Sequence, residues 1–285
     1  MNIPRYWAKG SAIVRSSDGM EQRYAAWRWS NDSLQDAARW AQESAERIAR
    51  QIGAGQQLQR YLYGERAMRE EVLQRVARPD GRELGVVTRN SYGALVLNAA
   101  NAMFVDIDLP DEKPSGSLAG GLRKLFGAKP ALSPEAAALQ TLENWARQNT
   151  GLGLRVYRTA GGLRALVTSV TFDPTLAQTR QILQGLDSDP LYIQLCQAQG
   201  CFRARLTPKP WRLDLPPLPV RWPFETPSAE ARARQWVQRY EQHSAPVIVC
   251  RLVKSLGVPN LHPDVAPILD LHDRYALGSP SLRLA

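Results

Sequence analysis

The chain has 285 residues, with 44% hydrophobic and 22% charged side chains, a net charge of +9 and a pI near 9.7. That balance describes a globular, soluble chain with one large or two modest cores, and it favours a polyanionic partner such as nucleic acid or nucleotide phosphates. Three cysteines (Cys196, Cys201, Cys250) and three histidines (His243, His262, His272) argue against a disulfide framework and a Cys/His zinc site.

In chain order, residues 1–30 read as two strands around the turn "SSDGM", carrying Trp7, Trp27 and Trp29. A helix start at Ser30–Ser33 leads into a face of Leu34, Ala37, Ala41, Ala45, Ile48, Ala49 and Ile52. Leu58, Leu62, Val72, Leu73 and Val76 support a second helix that "RPDGR" ends. "LGVVTRNSYGALVLNAANAMFVDID" then holds three antiparallel strands. A Gly/Pro/Lys-rich insertion follows, and then a helix from Pro134 to about Gln148.

"GLRVYRTAGGLRALVTS" is a hairpin around "TAGG". "PTLAQTRQILQGL" and "DPLYIQLCQAQ" read as helices and "CFRARLT" as a strand. "PKPWRLDLPPLPVRWPFETP" reads as an extended, polyproline-like surface arm. The tail holds a helix near Ala229–His243, the strand "PVIVCRLV" and a short helix near Asp264–Tyr275. Together these predict an α+β fold with an antiparallel sheet core. The expected organisation is an N-terminal strand-helix lobe (1–80), a core carrying the site (81–215), and a proline-rich arm with a C-terminal extension (216–285). The N-terminus has no apolar signal-peptide core and no run approaches membrane-span length, so the expected setting is cytoplasmic, with no membrane partner.

Chemistry concentrates in the middle. Asp106 and Asp108 stand at i and i+2 on a strand and so share a face, while Ile107 points into the core. Two close carboxylates repel, and Mg²⁺ or Mn²⁺ is a fitting counter-ion because it takes oxygen ligands and keeps waters or phosphates in its remaining positions. A solvent-exposed strand end is the plainer alternative. The hairpin turn offers Arg158, Gly161, Gly162 and Arg164 to a phosphate, against an ordinary turn with two surface arginines. "CFRARLTPKPWR" adds Arg203, Arg205, Lys209, Trp211 and Arg212, a cationic row beside an aromatic that suits a triphosphate or a nucleic-acid backbone. Asp187 and Asp189 just upstream are candidates for a third metal ligand, or simply start a helix at Pro190.

The order of these segments resembles the archaeo-eukaryotic primase (primase-polymerase) superfamily over roughly residues 84–212. "FVDID" resembles its D-x-D strand motif and "RTAGGLR" its S/T-G-G-x-H hairpin segment, with Arg164 near the place of the histidine. The resemblance implies an RRM-like catalytic unit that binds a nucleoside triphosphate and extends a nucleic-acid strand. Asp106 and Asp108 would be metal ligands and Gly161, Gly162 and Arg164 would lie near the triphosphate. The third acid stays open between Asp173, Asp187 and Asp189. The rival readings are a non-catalytic nucleic-acid-binding protein on the same sheet, a sugar-nucleotide transferase, and a scaffold protein docking a partner through the proline arm.

Overall fold

A computed structural model describes residues 1–15, 20–56, 67–110 and 132–285. The fold is α+β, as the sequence predicts. Strands β1 (Tyr6–Arg15) and β2 (Glu21–Ser30) form an antiparallel hairpin in which Trp7 faces Trp29. Helix α1 (Leu34–Gly53) lies across it. Ser33 caps the helix by accepting the Asp36 N–H at 3.0 Å. Gly10 makes the close approach possible, because a Cβ there would come within 2.3 Å of the Ala41 backbone.

Two four-stranded antiparallel sheets form the core. The first contains β3 (Glu71–Ala77), β4 (Glu83–Arg89), β5 (Leu95–Ala99) and, joining from far along the chain, β9 (Phe202–Arg205), in that order. The second runs β11 (Cys250–Gly257), β7 (Gly153–Thr159), β8 (Gly162–Val167), β6 (Phe104–Asp108). Helix α2 (Pro134–Gln148) covers one face of the second sheet, where Ala138, Leu142 and Ala146 share a core with Ile107, Leu163 and Ala165. Helices α3 (Ala177–Gly185) and α4 (Pro190–Gln199) flank the free edge of β6. After a 3₁₀ turn at Pro210–Leu213 come α5 (Pro227–Ser244), the short β10 (Val247–Ile248), α6 (Ala266–Ala276) and β12 (Arg283–Leu284), which pairs with β10. Helix α6 touches both sheets. Ile268 reaches the position where Gly85 would carry a Cβ, and the His272 ring packs on Phe104 and Tyr157.

Two expectations are corrected. The helix through Leu58–Val76 is not formed at its C-terminal half: 71–77 is strand β3, paired with β4, while Leu58 and Leu62 lie outside the described residues. Val72 and Val76 fit a strand as well as a helix, and pairing with β4 decides between them. The Gly/Pro/Lys insertion falls largely outside the described residues too. The proline arm is more than a surface strap, because Leu213 and Leu215 are buried in a small core with Trp236 and Tyr240. The core sheets draw on 71–77 and 250–257 as well as on 81–215. All three cysteines are buried and unpaired, and among the described residues no helix is long and apolar enough to cross a membrane.

Candidate active site

Among the described residues strand β6 is an edge strand, paired only with β8, where Asp106 sits opposite Arg164 and Asp108 opposite Gly162. Its alternation is as expected: Ile107 is 4% exposed and Asp108 is exposed. The other edge of β6 is closed by the segment entering α4. The Asp189 N–H donates to the Asp106 carbonyl at 2.8 Å, and the Ser188 hydroxyl donates to the same oxygen at 3.1 Å. The Tyr192 hydroxyl donates to the Phe104 carbonyl at 3.1 Å. These bonds bring Asp189 beside the acid pair, while its Oδ1 caps α4 by accepting the Tyr192 N–H at 2.6 Å.

Basic residues converge on the same place. The charges that act on Asp108 are those of Asp106 and Asp189, which raise its pKa together with the larger effect of burial, and those of Lys209 and Arg205, which lower it. Its net proton affinity is above the usual carboxylate range. Burial, then Arg205 and Arg212, push the Lys209 ammonium down against the opposing pull of Asp108 and Asp106. A Cβ on Gly161 would lie 3.4 Å from an Arg212 nitrogen and 3.9 Å from Asp108 Oδ1, so this turn forms the floor between acid and base. Gly162 is required by packing: a Cβ there would fall 1.9 Å from the Ile107 carbonyl oxygen.

The acids and bases face one another without closing. Among the described residues, the side chains of Asp106, Asp108, Arg205, Lys209 and Arg212 make no hydrogen bond or ion pair within the protein. Charges this close that stay unpaired are poised for a ligand that carries both a cation and an anion. Beside them Trp211 is 52% exposed, tilts against Tyr92 with ring centroids 5.2 Å apart, and lies 5.5 Å from Lys209 Nζ.

Other candidates are placed elsewhere. Asp187 is exposed, in a left-handed conformation, and is not among the charges acting on Asp108. Asp173 is bound up with Thr175, whose hydroxyl and N–H hold its carboxyl below the usual range. Among the described residues no three Asp, Glu, His or Cys side chains form a group that could hold one ion. The oxygen donors on offer are therefore the Asp106–Asp108 pair. Two carboxylates fit Mg²⁺ or Mn²⁺, whose remaining positions go to water and phosphate oxygens.

Three arginines are not open to a phosphate. Arg164 is on the acid face, as the register requires, but is only 4% exposed. Its Nη1 donates to the Arg205 carbonyl at 2.8 Å and meets His272 Nε2 at 3.2 Å. Arg203 donates to both Glu70 carboxylate oxygens, at 2.9 and 2.8 Å. Arg158 points to the opposite face, where it binds the Thr159 and Gly162 carbonyls and pairs with Glu135. Each was expected as a surface cation. Instead, each finds its own partners within the protein: Arg164 and Arg203 in sheltered positions, and Arg158 at the surface, with its side chain 32% exposed.

His272 is the residue that sequence reading missed, since it lies more than a hundred positions from Arg164. A guanidinium only donates, so Nε2 accepts and the proton sits on Nδ1, which donates to Asp273 Oδ1 at 2.9 Å. Asp273 also accepts from Tyr157 at 2.8 Å and pairs with Arg155 at 2.8 Å. Burial pushes the His272 pKa down to about 4. In the unfolded chain this imidazole takes a proton near pH 6.5, whereas in the fold it stays neutral down to about 4. Folding stability is therefore expected to fall as pH drops from about 6.5 to about 4, by on the order of 3 kcal/mol. Urea titrations of wild type and His272→Gln across this range check it. The variant's curve should be flatter, and parallel curves would remove His272 as the cause.

A separate cleft of about 510 Å³ opens between β2 and α1, lined by Arg28, Trp40, Glu43 and Arg47 among others, and none of the acid cluster's residues reach it. Comparison with protein-family models, curated proteins and solved structures found no match to this chain.

Proposed function

We propose that the chain is a divergent, primase-polymerase-like nucleotidyltransferase. The observation that supports this reading is the set of unpaired charges, with Asp106 and Asp108 facing Arg205, Lys209 and Arg212 across the Gly161–Gly162 turn. Asp106 and Asp108 would hold Mg²⁺ or Mn²⁺, which supplies charge neutralisation at the α-phosphate and at the attacking oxygen. Arg205, Lys209 and Arg212 bind the triphosphate oxygens. The 3′-hydroxyl of a strand would form the new bond to the α-phosphorus while its proton passes to solvent water, and pyrophosphate would leave with the electrons of the broken α–β P–O bond. Arg164 acts from below, holding the Arg205 carbonyl and so the start of the basic segment.

The test is Mn²⁺ titration followed at the β6 amides, together with nucleotide incorporation on a primed template. Metal-dependent shifts at Asp106 and Asp108 and extension by single nucleotides are expected. Metal affinity should also fall at a higher pH than for an ordinary carboxylate pair, since Asp108 holds its proton more tightly. Unchanged amides at saturating Mn²⁺ would remove the enzymatic reading. A second reading, nucleic-acid binding without catalysis, is favoured by one observation: the metal donors stop at a pair of carboxylates among the described residues. It predicts strand binding that is the same in Mg²⁺ and in EDTA, with no extension product.

A further inference from the structure

A second cationic cluster lies along the chain from the acids, and the proposed function does not use it. Arg69, Arg89 and Arg221 line a narrow cleft together with Asn90, Ser91 and Trp222. Its interior, about 10 Å³, has room for little more than one water. An anion would therefore rest at the mouth, on half-buried Arg69 and exposed Arg221, with Arg89 as a fixed charge behind.

The charge there is undercompensated. The Arg89 side chain is 7% exposed and its Nη1 donates to the Gly93 carbonyl at 2.9 Å; among the described residues its Nε has no partner and its one ion pair, with Glu241, is long at 3.9 Å. Arg221 makes no ion pair or hydrogen bond through its side chain among the described residues. Glu71, the acid in the wall, is taken by Arg234 at 2.9 Å, and nearby Glu225 is taken by Lys9 at 2.7 Å. Burial and the neighbouring Arg221 both destabilise the charged form of Arg69, the mark of cations held together without enough counter-charge. Aromatic surface accompanies them, with the Arg69 guanidinium 4.3 Å from the Trp27 ring centroid.

One turn joins this cleft to the acid cluster. Asn90 and Ser91 line the cleft, and the next residue, Tyr92, packs at a tilt against Trp211 beside Lys209. The turn is rigid, because Asn90 Oδ1 accepts the N–H groups of Tyr92, Gly93 and Ala94. Cations and aromatic faces thus alternate from Lys209 through Trp211 and Tyr92 to Arg221 and Arg69.

We infer that this path is a track for single-stranded nucleic acid, with bases on Trp211 and Tyr92 and a backbone phosphate on Arg221 and Arg69. Every base offers a face for stacking, and each phosphate offers the anion that the cluster lacks. The inference shares with the proposed function the class of ligand and, at one end of the path, Lys209. It does not require Asp106 or Asp108.

The test measures a fluorescein-labelled 12-nucleotide single strand by anisotropy in EDTA, over a range of salt. Arg221→Glu should weaken binding at least about fivefold and reduce the slope of log affinity against log salt by about 1. Arg180→Glu, the same charge change on exposed α3, should stay within about twofold of wild type. Polyglutamate of equal length should compete poorly because it cannot stack. Equal loss in the two variants, no loss in Arg221→Glu, or equal competition by polyglutamate would overturn the track. Failure of the track and of the enzymatic reading can be told apart: Asp106→Asn should keep strand affinity while losing incorporation. The track fails alone if Arg221→Glu binds normally while extension persists.

Discussion

Asp106→Asn is expected to abolish nucleotide incorporation, by at least about a hundredfold, while leaving the fold and single-strand affinity in place. The size follows from the role. A metal-bound oxygen supplies several kcal/mol of charge stabilisation, and each 1.36 kcal/mol is about tenfold in rate. The fold should survive because Asp106 is fixed by its main chain, through Ser188 and Asp189, and its carboxylate makes no hydrogen bond or ion pair among the described residues. Removing a negative charge from a basic surface can only help a polyanion to bind. Incorporation assays, thermal melts and anisotropy on the same preparation separate these effects. An Asp106→Asn protein that extends primers at the wild-type rate would make the acids structural. Asp108→Asn should behave alike, and in addition remove the carboxyl whose proton affinity burial, and then the neighbouring carboxylates, raise.

The second large effect concerns stability. Glu70→Ala is expected to cost about 3–5 kcal/mol, because it leaves the Arg203 guanidinium charged and without its carboxylate inside the fold. The pair is well sheltered, with Arg203 18% and Glu70 10% exposed at the side chain. Glu70 Oε2 also accepts the Thr88 hydroxyl at 2.5 Å, and Thr88 in turn accepts from Asn98 Nδ2 at 2.9 Å. The bond chain thus ties β9 through β5 and β4 to the segment before β3. Replacing both partners, as Glu70→Leu with Arg203→Met, should recover much of the loss, since a paired charge and a packed apolar pair are often of similar stability. Urea midpoints of the two single variants and the double variant decide the matter. A cost under about 1 kcal/mol for Glu70→Ala would mean that Arg203 is solvated, and would return it to the list of phosphate contacts.

Much of this was legible locally. Period-two alternation and turn residues marked β4 to β9 and the "TAGG" hairpin. Ser33 and Asp189 marked helix starts that the structure caps with those same side chains, and Pro134 marked another, which Ser133 caps. The i, i+2 rule put Asp106 and Asp108 on one face without any tertiary information. The register between β6 and β8 put Arg164 on that face, and no local rule could say that Arg164 would be covered. Cover depends on what packs above, and here that is β9 and α6, from distant parts of the chain.

Apart from 71–77, where pairing with β4 replaced the expected helix by a strand, the sequence by itself determined these element types, the shared face of the two acids and the basic character of the segment after β9. Each of these depends on neighbours a few residues apart, where sterics and side-chain period act directly. Only the tertiary structure decided which acid lies beside the pair, which arginines are engaged, and which histidine meets Arg164. It brought Asp189 rather than Asp187 alongside β6, where the Asp189 N–H meets the Asp106 carbonyl, without making a three-carboxylate group among the described residues. It closed Arg203 onto Glu70 and Arg164 onto His272 because a charge taken from water must find its partners inside. Those partners are 133 and 108 residues away, beyond the reach of any local pattern.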